Sequence, residues 1–134
     1  MKKKRTRILL IILLVLALAL AGAGILFSRI EENLKALGQI PLAAIDPGSL
    51  KDGDYSGSYA AFPVSASVRV SIKDGVITGI KLEKHTHGQG AAAEVLPEQV
   101  LAAQSLQVDS VAGATYSSKV ILLAIQDALL KGTP

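Results

Sequence analysis

Residues 64–84 read VSASVRVSIKDGVITGIKLEK, and the alternation within them decides the fold. Val64, Ala66, Val68, Val70 and Ile72 fall on one side of an extended chain, with Ser65, Ser67, Arg69 and Ser71 on the other. Successive strand side chains point to opposite faces, so this is the pattern of a half-buried strand. Lys73-Asp74-Gly75 follows as a tight turn in which Gly75 is free to take positive φ. Beyond it Val76, Thr78, Ile80 and Leu82 oppose Ile77, Gly79, Lys81 and Glu83, so the stretch predicts an antiparallel hairpin.

On the N-terminal side of the hairpin, GDYSGSYA (53–60) carries a further strand signal. The block Asp52–Gly57 reads as a turn leading into an edge strand, although its small residues also leave room against a ligand. On the C-terminal side come the loop HTHGQG (85–90) and the helix-rich AAAEVLPEQVLAAQSL (91–106), where Pro97 either bends the helix or opens its second half. A final helix is predicted from about Ser117 to Leu130. Its buried stripe is Ile121, Ala124 or Ile125, and Ala128 or Leu129, and Gly132 is its stop signal. Strands first and helices after argue an α+β domain, a small antiparallel sheet with helices packed on one face.

The 134-residue chain begins differently. Lys2, Lys3, Lys4, Arg5 and Arg7 form a basic head (1–7), and an uncharged run from Ile8 to Phe27 follows. Twenty helical residues span roughly 30 Å, the thickness of a bilayer's hydrocarbon core. Ala19, Ala21 and Ala23 suit a signal-peptide cleavage site. Ile25, Leu26 and Phe27 prolong the apolar run past them, which favours a retained transmembrane signal anchor at 8–27. The basic head then stays in the cytoplasm, and the rest of the chain is extracytoplasmic on the cell membrane. In SRIEENLKAL, Ile30, Leu34 and Leu37 give a short helix one apolar face. It reads either as a separate stalk helix ended by Gly38 or as a continuation of the membrane helix. Together with an extended linker it fills 28–50, leaving 51–132 as the domain.

The formal charge of +3 comes from the head. Without those five cations, nine basic residues face eleven acidic ones, and no nucleic-acid-binding surface is implied. No cysteine is present, which excludes disulfides, thiol redox chemistry and cysteine-ligated metals. Any redox function must therefore use a cofactor. No serine sits in a nucleophile elbow and no carboxylate pair has a catalytic spacing, so hydrolysis is not expected.

Three segments remain as candidate sites: Asp52–Gly57, HTHGQG and DSVAGATYSS (109–118). His85 and His87, two residues apart at a strand end, can point to one side and face a metal or a cofactor ring, or belong to a plain polar loop. With no cysteine and no acid at an obvious spacing, no metal site is expected. Gly88 and Gly90 let backbone approach a bulky planar ligand.

Taken in order, DGDYSG, VSIKDGVITGIKL and AAQSLQVDSVAGATYSSKVILLAIQDAL give residues 39–132 a resemblance to a known family. The chain resembles the FMN-binding domain of the flavin-carrying subunits of sodium-pumping NADH:quinone reductase and Rnf-type complexes. It is most similar to small, membrane-anchored, single-domain members. The resemblance implies FMN attached through its phosphate to Thr115 by a separate flavin transferase that uses FAD and Mg²⁺. Asp109 occupies the family's acidic position, Gly113 and Ala114 its small positions, and Ala112 stands where a Ser or Thr is usual.

A phosphodiester at Thr115 would sit at a helix start, where the amides of Tyr116, Ser117 and Ser118 and the helix dipole favour negative charge. His85, His87 and Gln89 are expected to line the flavin and shift its potential. The implied protein is an electron carrier between a membrane donor and an extracytoplasmic acceptor. Two alternatives stand beside it: a module that binds FMN or another planar ligand non-covalently, and a membrane-tethered interaction domain with no cofactor.

Overall fold

A computed structural model describes residues 1–134, except for the side chain of Lys2. The chain divides into two compact units, residues 1–33 and 34–134.

The first unit lies within helix α1, Lys2–Gln39. From Ile8 to Phe27 its large apolar side chains are exposed, and the helix is long and apolar enough to cross a membrane. No break separates this run from the segment read as a stalk, so the continuation holds and a separate stalk helix does not form. Gly38 is helical rather than terminal. The strong helix formers Leu34, Lys35, Ala36 and Leu37 carry the helix to Gln39, with Pro41 two residues beyond.

Within the second unit, Leu37 is buried in the core, and the linker is tied down where the Ala43 amide donates to Gln126 Oε1 at 2.6 Å. Three antiparallel strands follow in the order β1-β2-β3: β1 Gly53–Ala61, β2 Val64–Lys73 and β3 Val76–Thr86. The hairpin read from the sequence is the β2/β3 pair, with Lys73 opposite Val76. The inner face expected for β2 is present in full, since Val64, Ala66, Val68, Val70 and Ile72 are all buried.

The strict alternation expected for β3 does not hold. Ile72 pairs with Ile77 while Ser71 pairs with Gly79, and Val68 pairs with Leu82 while Ser67 pairs with Lys84. Thr78 and Glu83 are thus extra residues, each forming a bulge that resets which face the next side chain occupies. Ile77, Ile80, Leu82 and His85 consequently share the inner face with their β2 partners Ile72, Val70, Val68 and Ala66. Period-two counting had placed Ile77 and Ile80 on opposite faces.

Two helices complete the unit: α2, Leu96–Ala103, preceded by a 3-10 turn over Ala91–Val95, and α3, Thr115–Lys131. Pro97 lies in the first turn of α2, where a missing amide hydrogen costs nothing. Helix α3 crosses β1 and β2, burying Val120, Ile121, Leu122, Ala124, Ile125 and Ala128. Its approach to β1 is so close that a Cβ on Gly57 would lie 2.1 Å from the Ala124 carbonyl oxygen. Gly57, the last residue of the Asp52–Gly57 block, therefore makes room for a helix. Gln104, at positive φ after α2, bonds the edge of β3 with its side-chain amide: Oε1 accepts from the Ile77 amide and Nε2 donates to the Ile77 carbonyl, both at 2.8 Å.

Candidate functional site: the start of α3 and the loop after β3

Helix α3 begins two residues earlier than its sequence pattern suggests, so Thr115 is its first residue. The turn ahead of it explains the shift. Gly113 takes φ +77, and the Ala114 amide donates to the Val111 carbonyl at 3.0 Å, which completes the turn and aims the chain into the helix. A Cβ on Gly113 would meet nothing within 4 Å of this chain, so within the fold glycine is needed there for its positive φ.

Ala114, the cap residue, offers no side-chain acceptor to the helix start. The first amide to bond within the helix is that of Ser118, which donates to the Ala114 carbonyl at 2.8 Å. The amides of Thr115, Tyr116 and Ser117 precede that bond and form the positive end of a 17-residue helix. Ser118 does not join them, because its amide is taken and its buried Oγ accepts from the Val111 amide at 3.0 Å. Ser117 is also buried, whereas Thr115 and Tyr116 are exposed.

Across from this helix start lies the loop after β3. A Cβ on Gly90 would fall 1.9 Å from Ser117 Oγ, so glycine is what allows the loop to seat against α3. Loop and helix enclose a cavity of about 190 Å³ lined by Val64, Gly88, Gln89 and Gly90 on one side and by residues 113–117 on the other. HTHGQG and GATYS, more than twenty residues apart in sequence, thus form one site. Asp109 lies elsewhere, in a wider hollow of about 540 Å³ with Gln99 and Gln107. That larger space holds neither the Thr115 hydroxyl nor the helix start, and the smaller cavity is the candidate site.

His85 and His87 stand behind the loop. Their rings are 4.5 Å apart between centroids, and both approach Glu94 in the 3-10 turn. Glu94 was not singled out from sequence, because its spacing of seven and nine residues from the histidines becomes meaningful only once the loop folds back.

The site fits the phosphate end of a flavin mononucleotide: an exposed hydroxyl, three amides without an intrahelical partner, and a glycine-walled cleft beside them. Comparison with known proteins gives the family. Residues 63–130, from the start of β2 almost to the end of α3, match the family described as FMN-binding domain. The span includes the hairpin and GATYS blocks but begins after DGDYSG. An uncharacterized protein of Treponema pallidum (strain Nichols) is 31% identical over 91 residues, covering 66% of this chain and 25% of that protein. The chain therefore spans about a quarter of that relative's length. With the family match covering half of the chain and both walls of the cavity, the chain belongs to the FMN-binding domain family.

Proposed function

We propose that the domain carries FMN joined through its phosphate to Thr115 and serves as an electron carrier held at the outer face of the membrane by α1. The observation that supports this most directly is the exposed Thr115 hydroxyl at the uncapped start of α3, beside the glycine loop. A phosphodiester there keeps one negative charge next to the amides of Thr115, Tyr116 and Ser117, where the helix dipole stabilises it by about 0.3–1 kcal/mol.

Attachment requires Thr115 Oγ to displace AMP from FAD. A bond forms between Oγ and the flavin-side phosphorus, the bridging P–O bond of the pyrophosphate breaks, and the hydroxyl proton passes to a base of the flavin transferase. Mg²⁺ on that enzyme offsets the charge of the departing AMP. Once held, FMN supplies the redox chemistry, and the protein supplies position and electrostatic tuning. Gln89 and Tyr116, on the walls of the cavity, would hold the phosphate end of FMN, while His85 and His87 would act on its potential through the loop that they support.

Cavity size favours the covalent form over non-covalent retention. About 190 Å³ suits a phosphate and part of the ribityl chain. Pockets that retain a drug-sized ligand by burial alone hold roughly 300–1,000 Å³. A tether removes the need for such burial.

The test is the intact mass of the full chain after coexpression with a flavin transferase. The expected product is heavier by one FMN less one water, and Thr115→Ala shows no gain. Wild-type chain that stays unmodified under those conditions would overturn the proposal, as would a Thr115→Ala chain that still gains the mass.

A further inference from the structure

Three nitrogen and oxygen donors converge behind the flavin-side loop. Glu94 Oε1 lies 3.0 Å from His85 Nδ1 and 3.6 Å from His87 Nε2. All three ligand atoms lie within 4.8 Å of one another. In a tetrahedral zinc site with bonds of roughly 2.0–2.1 Å, neighbouring ligand atoms stand about 3.3 Å apart. The two separations to Glu94 bracket that value.

A second observation concerns the environment of His85. Its side chain is 2% exposed, on the inner face opposite Ala66, and its Nε2 has no hydrogen-bond partner. A neutral imidazole has one donor and one acceptor nitrogen, and burying it with one of them unpaired is unfavourable. The nitrogen open to interaction is Nδ1, which faces Glu94. A cation bound at Nδ1 would fix the proton on Nε2 and add a strong interaction to a ring that otherwise makes one hydrogen bond to a half-exposed carboxylate.

We propose that His85, His87 and Glu94 form a binding site for a divalent transition-metal ion of the zinc type. Two imidazoles and one carboxylate suit a borderline cation, whereas Ca²⁺ and Mg²⁺ favour sets made of oxygen alone. Three protein ligands leave a fourth position, which opens toward water because Glu94 is 47% and His87 25% exposed. The ion ties the end of β3 to the turn over Ala91–Val95 and so closes the base of the loop Gly88–Gly90. This loop is one wall of the cavity beside Thr115. The metal site does not depend on flavin attachment.

The experiment uses the full chain in detergent micelles, made without flavin transferase and stripped with chelator, so that its outcome is separate from that at Thr115. Titration with Co²⁺ is expected to give the intense visible bands of a four-coordinate ion, saturating at one ion per chain and abolished by one equivalent of Zn²⁺. Glu94→Gln and His87→Ala, both at partly exposed positions, are expected to weaken Zn²⁺ binding at least tenfold. At the same concentration Zn²⁺ should also raise the unfolding temperature of the wild type by more than that of Glu94→Gln. Circular dichroism identical to wild type shows that the variants are folded. Wild-type chain that gives no such bands, or folded variants that bind Zn²⁺ as tightly as wild type, would overturn the proposal.

Discussion

Of the three glycines that line the Thr115 cavity, Gly113 and Gly90 are glycines for different physical reasons. Gly113 has open space around it and is needed for its positive φ. Gly90 has ordinary φ and is needed because Ser117 occupies the volume of a Cβ. Removing the obstruction should therefore rescue a substitution at Gly90. In Gly90→Ala the loop is expected to lift from α3, lowering stability by about 1–3 kcal/mol, the usual cost of overpacking. Ser117→Gly removes the obstructing Oγ and Cβ and by itself costs about 1 kcal/mol as a helix substitution. Combined, the two should be less destabilised than their sum by at least 1 kcal/mol, a coupling typical of residues in contact. Urea unfolding of the four chains measures it, and strictly additive effects would mean that loop and helix do not meet as described. The sequence marks Gly90 as permissive and, through the family resemblance, Gly113 as small, but it does not distinguish conformation from clearance. That distinction depends on a neighbour 27 positions away, whose place is set by the fold.

Among elements, the β2 strand was legible because one face is buried and the other wet, so its five apolar positions alternate without exception. Strand β3 was legible only in part. Bulges at Thr78 and Glu83 break the period of two, and only the first has a local signal, the glycine at 79 inside the strand. The bulge at Thr78 adjoins Ile77, the residue that Gln104 bonds through both its amide and its carbonyl, so a side chain from the α2 terminus replaces part of a neighbouring strand. The end of α3 that lies over β1 shows the same dependence on packing. A Cβ on Gly57 would meet the Ala124 carbonyl, the Ala128 amide and the Ala128 Cβ, none of which a rotamer change can move. Asp127 reinforces the contact by accepting from the Ser58 amide at 3.0 Å and pairing with Lys131. Gly57→Ala is expected to force β1 and α3 apart and to destabilise the domain by about 3 kcal/mol, the upper end of overpacking costs. The measurement is the shift in urea midpoint at constant slope. A change below half a kcal/mol would mean that the sheet and helix are not in backbone contact. Read from sequence, DGDYSG was equally compatible with ligand space, since a helix and a ligand ask for the same absent side chain.

For the whole molecule, the decisive contrast is between a helix whose apolar surface is exposed from Ile8 to Phe27 and a domain whose apolar residues are largely buried. Exposed continuous apolar surface of that length is enough to cross a bilayer and is what a signal anchor or a signal sequence presents. Five cations cluster ahead of it, while the chain after it carries both signs with a small acidic excess. Positive flanks are retained on the cytoplasmic side during insertion, so the domain should lie outside. Under the proposed function, an extracytoplasmic domain would have a reason to hold FMN by a bond, since a released cofactor would be lost by dilution. Because the chain contains no cysteine, its topology can be read with single introduced thiols. Thr133→Cys, in the exposed segment after α3, is expected to react with a membrane-impermeant maleimide on intact cells. Thr6→Cys, in the basic head, should react only after permeabilisation. Both chains should remain in the membrane fraction after carbonate washing and keep Met1 or its immediate successor as N-terminus, because Ile25, Leu26 and Phe27 extend the apolar run beyond Ala23. The reverse labelling pattern would invert the proposed orientation. A mature chain starting just after Ala21 or Ala23 would replace the anchor with a cleaved signal, leaving the domain free of the membrane and requiring a soluble route for its electrons.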